Sequence, residues 1–390
     1  MAEDEGDIMR ILHLVKTSVG ATWALRQMRE LVKLGFEIHV ALPPGGYLVS
    51  EYEKAEIKVH NLQFDFPIRR LWRCPSMFDS LRRLMEHIKP DIIHSHFVGT
   101  TLTMRLALGK THPVPRIFQV PGPLHLEHPF FRQAEILLSG TSDYWVGSCE
   151  WTCKRYRESG IADDRLFLSY YGTDVDNFCG RKPGRLRKEF GIEAVHKLIG
   201  MIAYMYPPKR YLGQSRGIKG HEDLIDALVI CLRSEPHIKG VFVGGGWNGA
   251  SAYERRIRAY GERRCRDHIA FLGTRNDVLE LYPDLDVVVH PSRSENVGGA
   301  AESLLLAMPT IATNVGGLPD LVRHNETGWL VPPREPTQLA ETILKVLGDP
   351  VGAREIAMKG QALARSLFDV KQTARQVAMI YQKIVGGHWV

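Results

Sequence analysis

The sequence has no long uninterrupted apolar segment and little that would direct it out of the cell. No window reaches ~18 consecutive apolar residues, the length that a membrane-spanning helix needs, so we expect no such helix. The chain starts MAEDEGD, which is acidic and lacks an apolar stretch, so we expect no secretory signal. With 44% hydrophobic and 24% charged residues, the composition is that of a globular enzyme.

Cysteine is scarce and scattered, with six in 390 residues. Cys149 and Cys153 lie close together in the chain, but no second pair of Cys or His stands at zinc-binding distance from them. We therefore expect reduced thiols in a cytoplasmic protein, with no structural disulfide and no structural metal.

Signals for a cofactor or a metal are weak. Gly244–Gly249, after the predicted strand Gly240–Val243, fit the spacing Gly-x-Gly-x-x-Gly. This lone run is weak evidence, so we do not expect a nicotinamide or flavin enzyme. No Asp-x-Asp stands at a strand end, because Asp284 and Asp286 precede their strand, so we predict no catalytic metal and no cofactor.

Basic residues outnumber acidic ones, giving a net charge of +6, which suits anionic ligands or a weak attraction to anionic lipid. Part of the excess lies in one segment that combines basic and apolar side chains: Arg69, Arg70, Arg73, Arg82, Arg83 and Lys89 with Trp72, Met77 and Phe78. This segment either docks onto a membrane surface or an anionic acceptor, or forms a solvated loop and helix face. No nucleic-acid-binding motif accompanies it, so we expect no nucleic-acid partner.

Strand-length apolar runs alternate with helical stretches, which predicts an α/β fold with two doubly wound, Rossmann-like domains. The predicted strands are Arg10–Val15, Glu37–Leu42, Lys58–Leu62, Asp91–Phe97, Arg116–Val120, Tyr144–Gly147, Leu166–Ser169, Leu198–Tyr204, Gly240–Val243, Ile269–Leu272, Asp286–His290, Thr310–Thr313 and Gly328–Val331. The predicted helices are Thr22–Leu34, Met77–Ile88, Thr100–Leu108, Pro129–Leu138, His221–Cys231, Ala252–Cys265, Asn276–Leu281, Ala300–Ala307, Pro336–Leu347, Ala353–Leu367 and Val370–Val385.

The break between the domains is predicted in the Gly-, Pro- and Arg-rich stretch Thr173–Arg187. We assign residues 1–178 to an N-terminal, acceptor-side domain and 179–368 to a C-terminal, nucleotide-sugar-binding domain. Residues 369–390 form a C-terminal helix that is expected to pack back on the first domain. If the domains face each other, the carboxyl ends of their strands bound one central cleft.

The segment His290–Gly317 carries the most specific pattern. A buried strand ends at His290, a polar loop with Glu295 and two glycines follows, and a helix begins that carries Glu302 in its first turn. Such a helix start offers unpaired N–H groups to a diphosphate. Glu302 is placed to accept hydrogen bonds from ribose hydroxyls, and Glu295 lies nearer to a sugar. The alternative is that Ser292 and Glu295 form a capping box and that Glu302 only complements the helix dipole.

This segment resembles the C-terminal signature of family 4 glycosyltransferases, the retaining enzymes of the GT-B fold. The matching residues are Pro291, Ser292, Glu295, Gly298, Glu302, Pro309, Gly316 and Gly317. In that family the first Glu contacts the transferred sugar and the second contacts the ribose. Here Glu295 and Glu302 stand seven positions apart, whereas the family usually has eight, and the shortening falls in the loop.

Further matches extend the resemblance over most of the chain: Val19-Gly20-Ala21, Pro90–His96, Gly172–Phe178 and Lys219-Gly220. By resemblance, Gly20 belongs to a glycine loop near the cleft, and Lys219 meets the donor phosphates. The resemblance and the local pattern together assign donor binding to Gly20, Arg210, Arg216, Lys219, Gly245, Arg275, Asn296, Val297, Gly298, Gly299 and Glu302. The catalytic residues implied are Glu295, Lys219 and His125.

Two departures bear on the site. The family usually has Gly-Arg one strand before Lys-Gly, and here that place is Ala203-Tyr204, followed by the insertion PPKRYLGQSRGI. Lys209, Arg210 or Arg216 would supply the missing charge, with Arg210 favoured, because a buried diphosphate needs paired cations; alternatively, Lys209 and Arg210 lie in an exposed loop. The family also has His-Gly where this chain has Pro121-Gly122. His125 would replace that histidine from a shifted turn, or it is a surface histidine.

The resemblance implies a retaining, metal-independent hexosyltransferase. The donor is a nucleoside-diphosphate sugar, with UDP favoured over GDP, and the acceptor is a hydroxyl compound of polysaccharide, glycolipid or secondary-metabolite biosynthesis. The basic segment hints at a lipid-linked acceptor and at peripheral contact with the inner face of the membrane. Two other readings stay open: a sugar-nucleotide 2-epimerase, and a non-catalytic sugar-binding protein that has lost the Arg and the His.

Overall fold

The computed structural model describes residues 8–67, 70–120, 122, 124–209 and 213–386, and it divides the chain into two compact units. The first unit comprises Met1–Asp174 and Leu367–Val390, and the second comprises Val175–Ser366. The division thus falls slightly earlier than the boundaries that the sequence suggested, and the last helix belongs to the first unit.

The first unit is built on a seven-stranded parallel sheet with strand order β3-β2-β1-β4-β5-β6-β7. Its strands are β1 (Arg10–Leu14), β2 (Glu37–Leu42), β3 (Lys58–Asn61), β4 (Ile92–Ser95), β5 (Arg116–Val120), β6 (Asp143–Gly147) and β7 (Leu166–Leu168). β4 and β5 are buried along their whole length, as expected of parallel strands covered by helices on both faces.

Helices surround this sheet. They are α1 (Thr22–Lys33), α2 (Leu48–Lys54), α3 (Cys74–Ile88), α4 (Val98–Leu108), α5 (Leu124–Glu127), α6 (Pro129–Leu137), α7 (Glu150–Glu158) and the chain-terminal α16 (Val370–Val385). α1 buries the apolar stripe of Ala24, Met28 and Leu31. α16 starts where the Asp369 carboxylate accepts the backbone N–H of Lys371, and its Tyr381 packs edge-on against Phe36.

The second unit contains a six-stranded parallel sheet with strand order β10-β9-β8-β11-β12-β13. Its strands are β8 (Lys197–Ile202), β9 (Ile238–Val243), β10 (Ile269–Gly273), β11 (Val287–His290), β12 (Thr310–Thr313) and β13 (Trp329–Val331). Its helices are α8 (Arg185–Glu189), α9 (His221–Cys231), α10 (Ser251–Cys265), α11 (Val278–Leu281), α12 (Ala300–Leu305), α13 (Leu318–Leu321), α14 (Pro336–Gly348) and α15 (Pro350–Phe368).

Both sheets reverse their winding direction at one place. In the first sheet β1 lies between β2 and β4, and in the second β8 lies between β9 and β11. The predicted pair of doubly wound α/β folds is therefore confirmed. In open parallel sheets, ligands bind outside the carboxyl ends of the strands at such a reversal. The loops after β1 and β4, and those after β8 and β11, are thus the places to look for a site.

Most predicted elements are present, and the differences lie at their ends or in short helices. The strand predicted over Asp91–Phe97 covers only Ile92–Ser95, and the helix predicted over Asn276–Leu281 begins at Val278. Five helices were not predicted, namely α2, α5, α7, α8 and α13. Four of these five have seven residues or fewer and span at most two turns, so their periodicity is hard to distinguish from that of a loop.

Candidate functional site

Three loops meet at the carboxyl ends of β8 and β11 in the second unit. Gly220, at the start of α9, has φ +77°, and a Cβ there would lie 1.9 Å from the carbonyl oxygen of Pro291. A Cβ at Gly316, which has φ +54°, would clash with the carbonyl oxygen of Glu295 in the same way. Only glycine fits these two positions. The two glycines therefore bring the turn of Lys219 and the turn of Gly316 against the loop that carries Glu295.

Lys219 and Glu295 form an ion pair where these loops meet. The hydroxyl of Ser292 also donates to the Glu295 carboxylate, over 3.2 Å. Burial opposes ionisation of this carboxyl, but the charge of Lys219 and the two hydrogen bonds outweigh that effect, so the pKa of Glu295 is lowered. The two residues assigned to catalysis in this unit are thus in direct contact, and each neutralises the other.

The end of β11, next to the ion pair of Lys219 and Glu295, is held by buried polar contacts. Nε2 of His290 lies 3.1 Å from the hydroxyl of Ser303, and burial lowers the pKa of His290 to about 4. The hydroxyl of Thr313 donates to the carbonyl of Ser292 over 2.5 Å. Ser303 stands where family 4 usually has Ala, so here its hydroxyl ties α12 to the end of β11. This keeps the first turn of α12 beside the loop of Glu295.

Glu302 lies in that first turn, and the hydroxyl of Tyr282 donates to its carboxylate over 3.4 Å. The residues between the two glutamates follow the same loop: the backbone N–H of Asn296 donates to Glu295 over 3.2 Å, Val297 is buried, and Gly298 has φ +40°. Gly299 packs against the ring of His290. The shortened spacing therefore leaves both glutamates at the same edge of the sheet, as the sequence suggested.

Arg216, one of the candidates for replacing the missing phosphate-binding arginine, is already ion-paired. Arg216 donates to Asp223 over 2.8 Å and to Asp226 over 2.7 Å. Arg293, which the sequence did not single out, donates twice to the same Asp223, each time over 2.8 Å. Asp223 thus holds both guanidinium groups. Arg210, the favoured candidate, lies outside the described residues.

Arg275, another residue assigned to donor binding, is also ion-paired. Arg275 donates to Glu189 over 2.6 and 2.9 Å and to Asp277 over 2.8 and 2.7 Å. Gly245, in the turn after β9, is packed beside the hydroxyl of Thr274 and the carboxylate of Glu254. Gly245 follows β9, which adjoins β8, whereas Arg275 follows the edge strand β10, one strand further from β8 and β11.

An aromatic group next to Lys219 was missed by the sequence analysis. Tyr206 and Trp247 stack with ring centroids 5.6 Å apart, and Tyr204 meets Trp247 edge-on at 5.0 Å. The ammonium of Lys219 lies 5.9 Å from the centroid of Tyr206. Burial, together with the charge of Glu295, raises the pKa of Tyr206 to about 12. Tyr204 thus stands where family 4 usually has the Arg of Gly-Arg, and no local pattern predicts that Trp247 joins Tyr204 and Tyr206.

The two predicted residues of the first unit lie in different surroundings. Gly20 is in the loop after β1, with φ +81°. His125 is only 8% exposed, its Nε2 lies 3.2 Å from the hydroxyl of Tyr156, and its ring packs near Phe118. Burial lowers the pKa of His125 to about 4. The reading of His125 as a surface histidine is therefore wrong, whereas its catalytic role stays a prediction.

Both units match models of glycosyltransferase families. The model described as Glycosyltransferase Family 4 matches residues 20–177, and the one described as Glycosyl transferases group 1 matches residues 210–362. Each unit is therefore similar to a glycosyltransferase family domain, in agreement with the resemblance to family 4.

Individual relatives agree with these matches. The D-inositol 3-phosphate glycosyltransferase of Corynebacterium efficiens is 28% identical over 228 residues, which are 56% of this chain and 51% of that protein. The chain thus spans about half the length of that relative. HepE of Anabaena, solved in complex with UDP, has a TM-score of 0.78 at 22% identity, covering 96% of this chain and 99% of HepE.

A second solved structure has the same fold. The sucrose-phosphate synthase of Thermosynechococcus elongatus has a TM-score of 0.79 at 18% identity, covering 97% of this chain and 99% of that one. At these identities the similarity of the solved structures establishes the fold. Among the residues that the structure describes, no helix combines the length and apolar character needed to cross a membrane.

Proposed function

We propose that this chain, whose two units are similar to glycosyltransferase family domains, is a retaining hexosyltransferase. It would move a sugar from a nucleoside-diphosphate sugar to a hydroxyl acceptor. The observation that carries the proposal is the contact between Lys219 and Glu295 at the winding reversal of the second sheet. A cation and a carboxylate there match the two parts of the donor, a diphosphate and a sugar with several hydroxyls.

Lys219 would bind the donor phosphates. Arg216, Arg275 and Arg293 are held by carboxylates of Asp223, Asp226, Glu189 and Asp277, whereas Lys219 pairs with Glu295 of the site itself. A bound diphosphate would compete with Glu295 for the ammonium. The N–H groups around Gly298–Ala300 would add to the stabilisation of the leaving group, and such preorganised donors contribute most where charge develops.

Glu295, once released from Lys219, would accept hydrogen bonds from hydroxyls of the transferred sugar. Its lowered pKa keeps it ionised at neutral pH, which suits an acceptor of hydrogen bonds and not a general acid. Glu302, oriented by Tyr282, would bind the ribose hydroxyls. The two glutamates would therefore fix the donor at both ends, and Lys219 would hold it in the middle.

In the reaction, the bond between the anomeric carbon and the diphosphate oxygen breaks while a bond to the acceptor oxygen forms on the same face. The departing phosphate would take the acceptor proton, so no protein base is required. The missing Asp-x-Asp at strand ends motivates a metal-independent mechanism. His125 would have to act from a buried position, so its proposed role is to support the acceptor side of the first unit.

We favour UDP as the nucleotide, because HepE, which shares the fold, was solved with UDP. The acceptor would belong to polysaccharide, glycolipid or secondary-metabolite assembly in the cytoplasm. The basic segment supports a lipid-linked form of the acceptor, with peripheral contact of the protein to the inner face of the membrane.

The test is to incubate the protein with a panel of UDP-, GDP- and ADP-sugars and to measure release of nucleoside diphosphate with and without hydroxyl acceptors. The anomeric configuration of the product, determined by NMR, tests retention. A chelator arm tests metal independence. Formation of an epimeric sugar nucleotide would favour an epimerase, and binding without release throughout would favour a non-catalytic protein; either result contradicts the proposal.

A further inference from the structure

A depression of about 310 Å³ lies in the first unit, beyond the carboxyl end of β3. Its wall residues come from the segment after β3 and from the start of α3: Gln63, Asp65, Phe66, Pro67, Arg70, Arg73 and Met77. We name this depression the β3 pocket. The carboxylate of Asp65 packs against Gly99 at the start of α4, which follows β4. The pocket therefore opens at the same edge of the first sheet at which parallel strands bind ligands.

Two arginines on the wall of the β3 pocket are unengaged. Among the described residues, the side chains of Arg70 and Arg73 make no hydrogen bond or ion pair, whereas Arg82, further along α3, donates to Asp79 and to the carbonyl of Ala107. Arg83 lies exposed on α3 and is not part of the pocket wall. The basic segment thus divides into arginines that face the pocket and arginines that do not.

The rest of the pocket wall has a different chemistry. Phe66, Pro67 and Met77 supply an apolar side. Burial raises the pKa of Asp65, while the nearby charge of Lys16 opposes the rise. Asp65 is thus a partly buried carboxylate that faces the pocket and can accept a hydrogen bond from a ligand hydroxyl. The wall therefore combines a site for a hydroxyl, an apolar face and two guanidinium groups within one small volume.

We infer that the β3 pocket binds the acceptor and that this acceptor is a polyol carrying a phosphate ester. Two arginines match the double charge of a phosphate, while Asp65 can accept a hydrogen bond from a polyol hydroxyl and the apolar side can contact a ring face. The inference rests on the proposed function and adds the chemical class of the acceptor. The same phosphate can belong to a free polyol phosphate or to a phospholipid headgroup. If the phosphate belongs to a phospholipid, Leu71 and Trp72, which are 57% and 75% exposed, would contact the acyl region of the membrane.

The experiment measures binding to the full chain by calorimetry. The soluble probes are glucose 6-phosphate and inositol 1-phosphate, each compared with its unphosphorylated parent. The vesicle probes are phosphatidylinositol in phosphatidylcholine, compared with pure phosphatidylcholine. We expect a phosphorylated probe to bind and its parent to bind at least about tenfold more weakly, with an affinity that falls as salt is added. Binding in the soluble arm indicates a free acceptor, and binding only to vesicles indicates a lipid-linked one.

The variant is Arg70→Gln combined with Arg73→Gln, and the matched control is Arg83→Gln. We expect the double variant to bind the phosphorylated probe about 10- to 100-fold more weakly, while the control matches the wild type. Equal binding of phosphorylated and parent probes, an unaffected double variant, or equal weakening by Arg83→Gln would each overturn the inference.

UDP binding, measured on the same samples, separates this inference from the proposed function. The double variant should bind UDP like the wild type, which also shows that the second unit is folded. Failure of the wild type to bind or turn over any sugar nucleotide would count against the proposed function alone. Phosphate-selective binding that depends on Arg70 and Arg73 would still support a phosphate site in the β3 pocket.

Discussion

The charged groups of the candidate site in the second unit and of the β3 pocket in the first unit are arranged in opposite ways. In the second unit, the candidate site satisfies its own charges: Lys219 pairs with Glu295, and Asp223 holds both Arg216 and Arg293. In the first unit, Arg70 and Arg73 border the β3 pocket without a partner among the described residues. A ligand of the second unit must therefore displace an ion pair, whereas a ligand of the first unit supplies a missing counter-charge. Substitutions at the ion pairs of the second unit should consequently lower its stability or leave the remaining partner's charge unpaired, in addition to changing ligand binding.

The largest effect is expected from Glu295→Ala, which should reduce sugar transfer to the limit of detection because the sugar hydroxyls lose their acceptor. UDP should bind as tightly as before or more tightly, since Lys219 no longer has a competing carboxylate. Transfer is measured as nucleotide release with acceptor, and UDP binding by calorimetry. Glu295→Gln, which keeps the shape but removes the charge, is the matched control for the competition. Unchanged turnover in Glu295→Ala would contradict the assigned role.

Asp223→Ala should lower the free energy of unfolding by about 3–5 kcal/mol, because Arg293 loses its carboxylate partner and Arg216 keeps only Asp226. Chemical denaturation monitored by fluorescence checks this value. Asp267, exposed in the same unit, provides the control as Asp267→Ala. If both variants unfold at the same denaturant concentration, then the arginine network does not stabilise the second unit.

Lys219→Ala should slow transfer by ~10²–10³-fold, the usual effect of removing one group that stabilises a developing charge. It should also weaken UDP binding, in contrast to Glu295→Ala. Steady-state nucleotide release and calorimetry distinguish the two variants, with the exposed Lys359→Ala as control. Transfer at the wild-type rate would show that the diphosphate is held elsewhere, for instance by the insertion.

Acidification should weaken the first unit more than the second. His13, His94 and His96 stack in its interior, and burial lowers the pKa of each, that of His94 to about 3. The unfolded chain takes up these protons below pH ~6.5, so stability falls as pH drops below that value, by roughly 1 kcal/mol or less per histidine and pH unit. The second unit buries His221 and His290, whose pKa values are each about 4.

Hydrogen exchange at pH 7.0 and 5.5, resolved by peptide, measures the two units separately once the intrinsic pH dependence of exchange is corrected. We expect the corrected protection to fall more in β1 and β4 than in β8 and β11. Equal losses in both sheets would show that the histidine stack does not set the acid sensitivity.

The fold was largely predictable because its signals are local. β4 and β11 are recognisable as buried strands from consecutive apolar residues, and α1 and α16 from their apolar stripes. Glu295, Glu302 and Lys219 were also identified from local motifs. The roles of Arg216 and Arg275 were not predictable, since their carboxylate partners include Asp223, Asp226 and Glu189, and a charged residue in sequence carries no sign of whether it is already paired.

The sequence by itself determined the alternation of strands and helices, the two doubly wound sheets and the loops that carry the site, because each depends on periodicity within a few turns or on a short motif. The tertiary structure alone decided which charges meet. Lys219 and Glu295 are 76 positions apart, and Arg293 and Asp223 are 70 apart. Such contacts arise only when parallel strands bring distant loops to one edge of a sheet. The same folding leaves Arg70 and Arg73 on the wall of the β3 pocket, a contrast that no local pattern encodes.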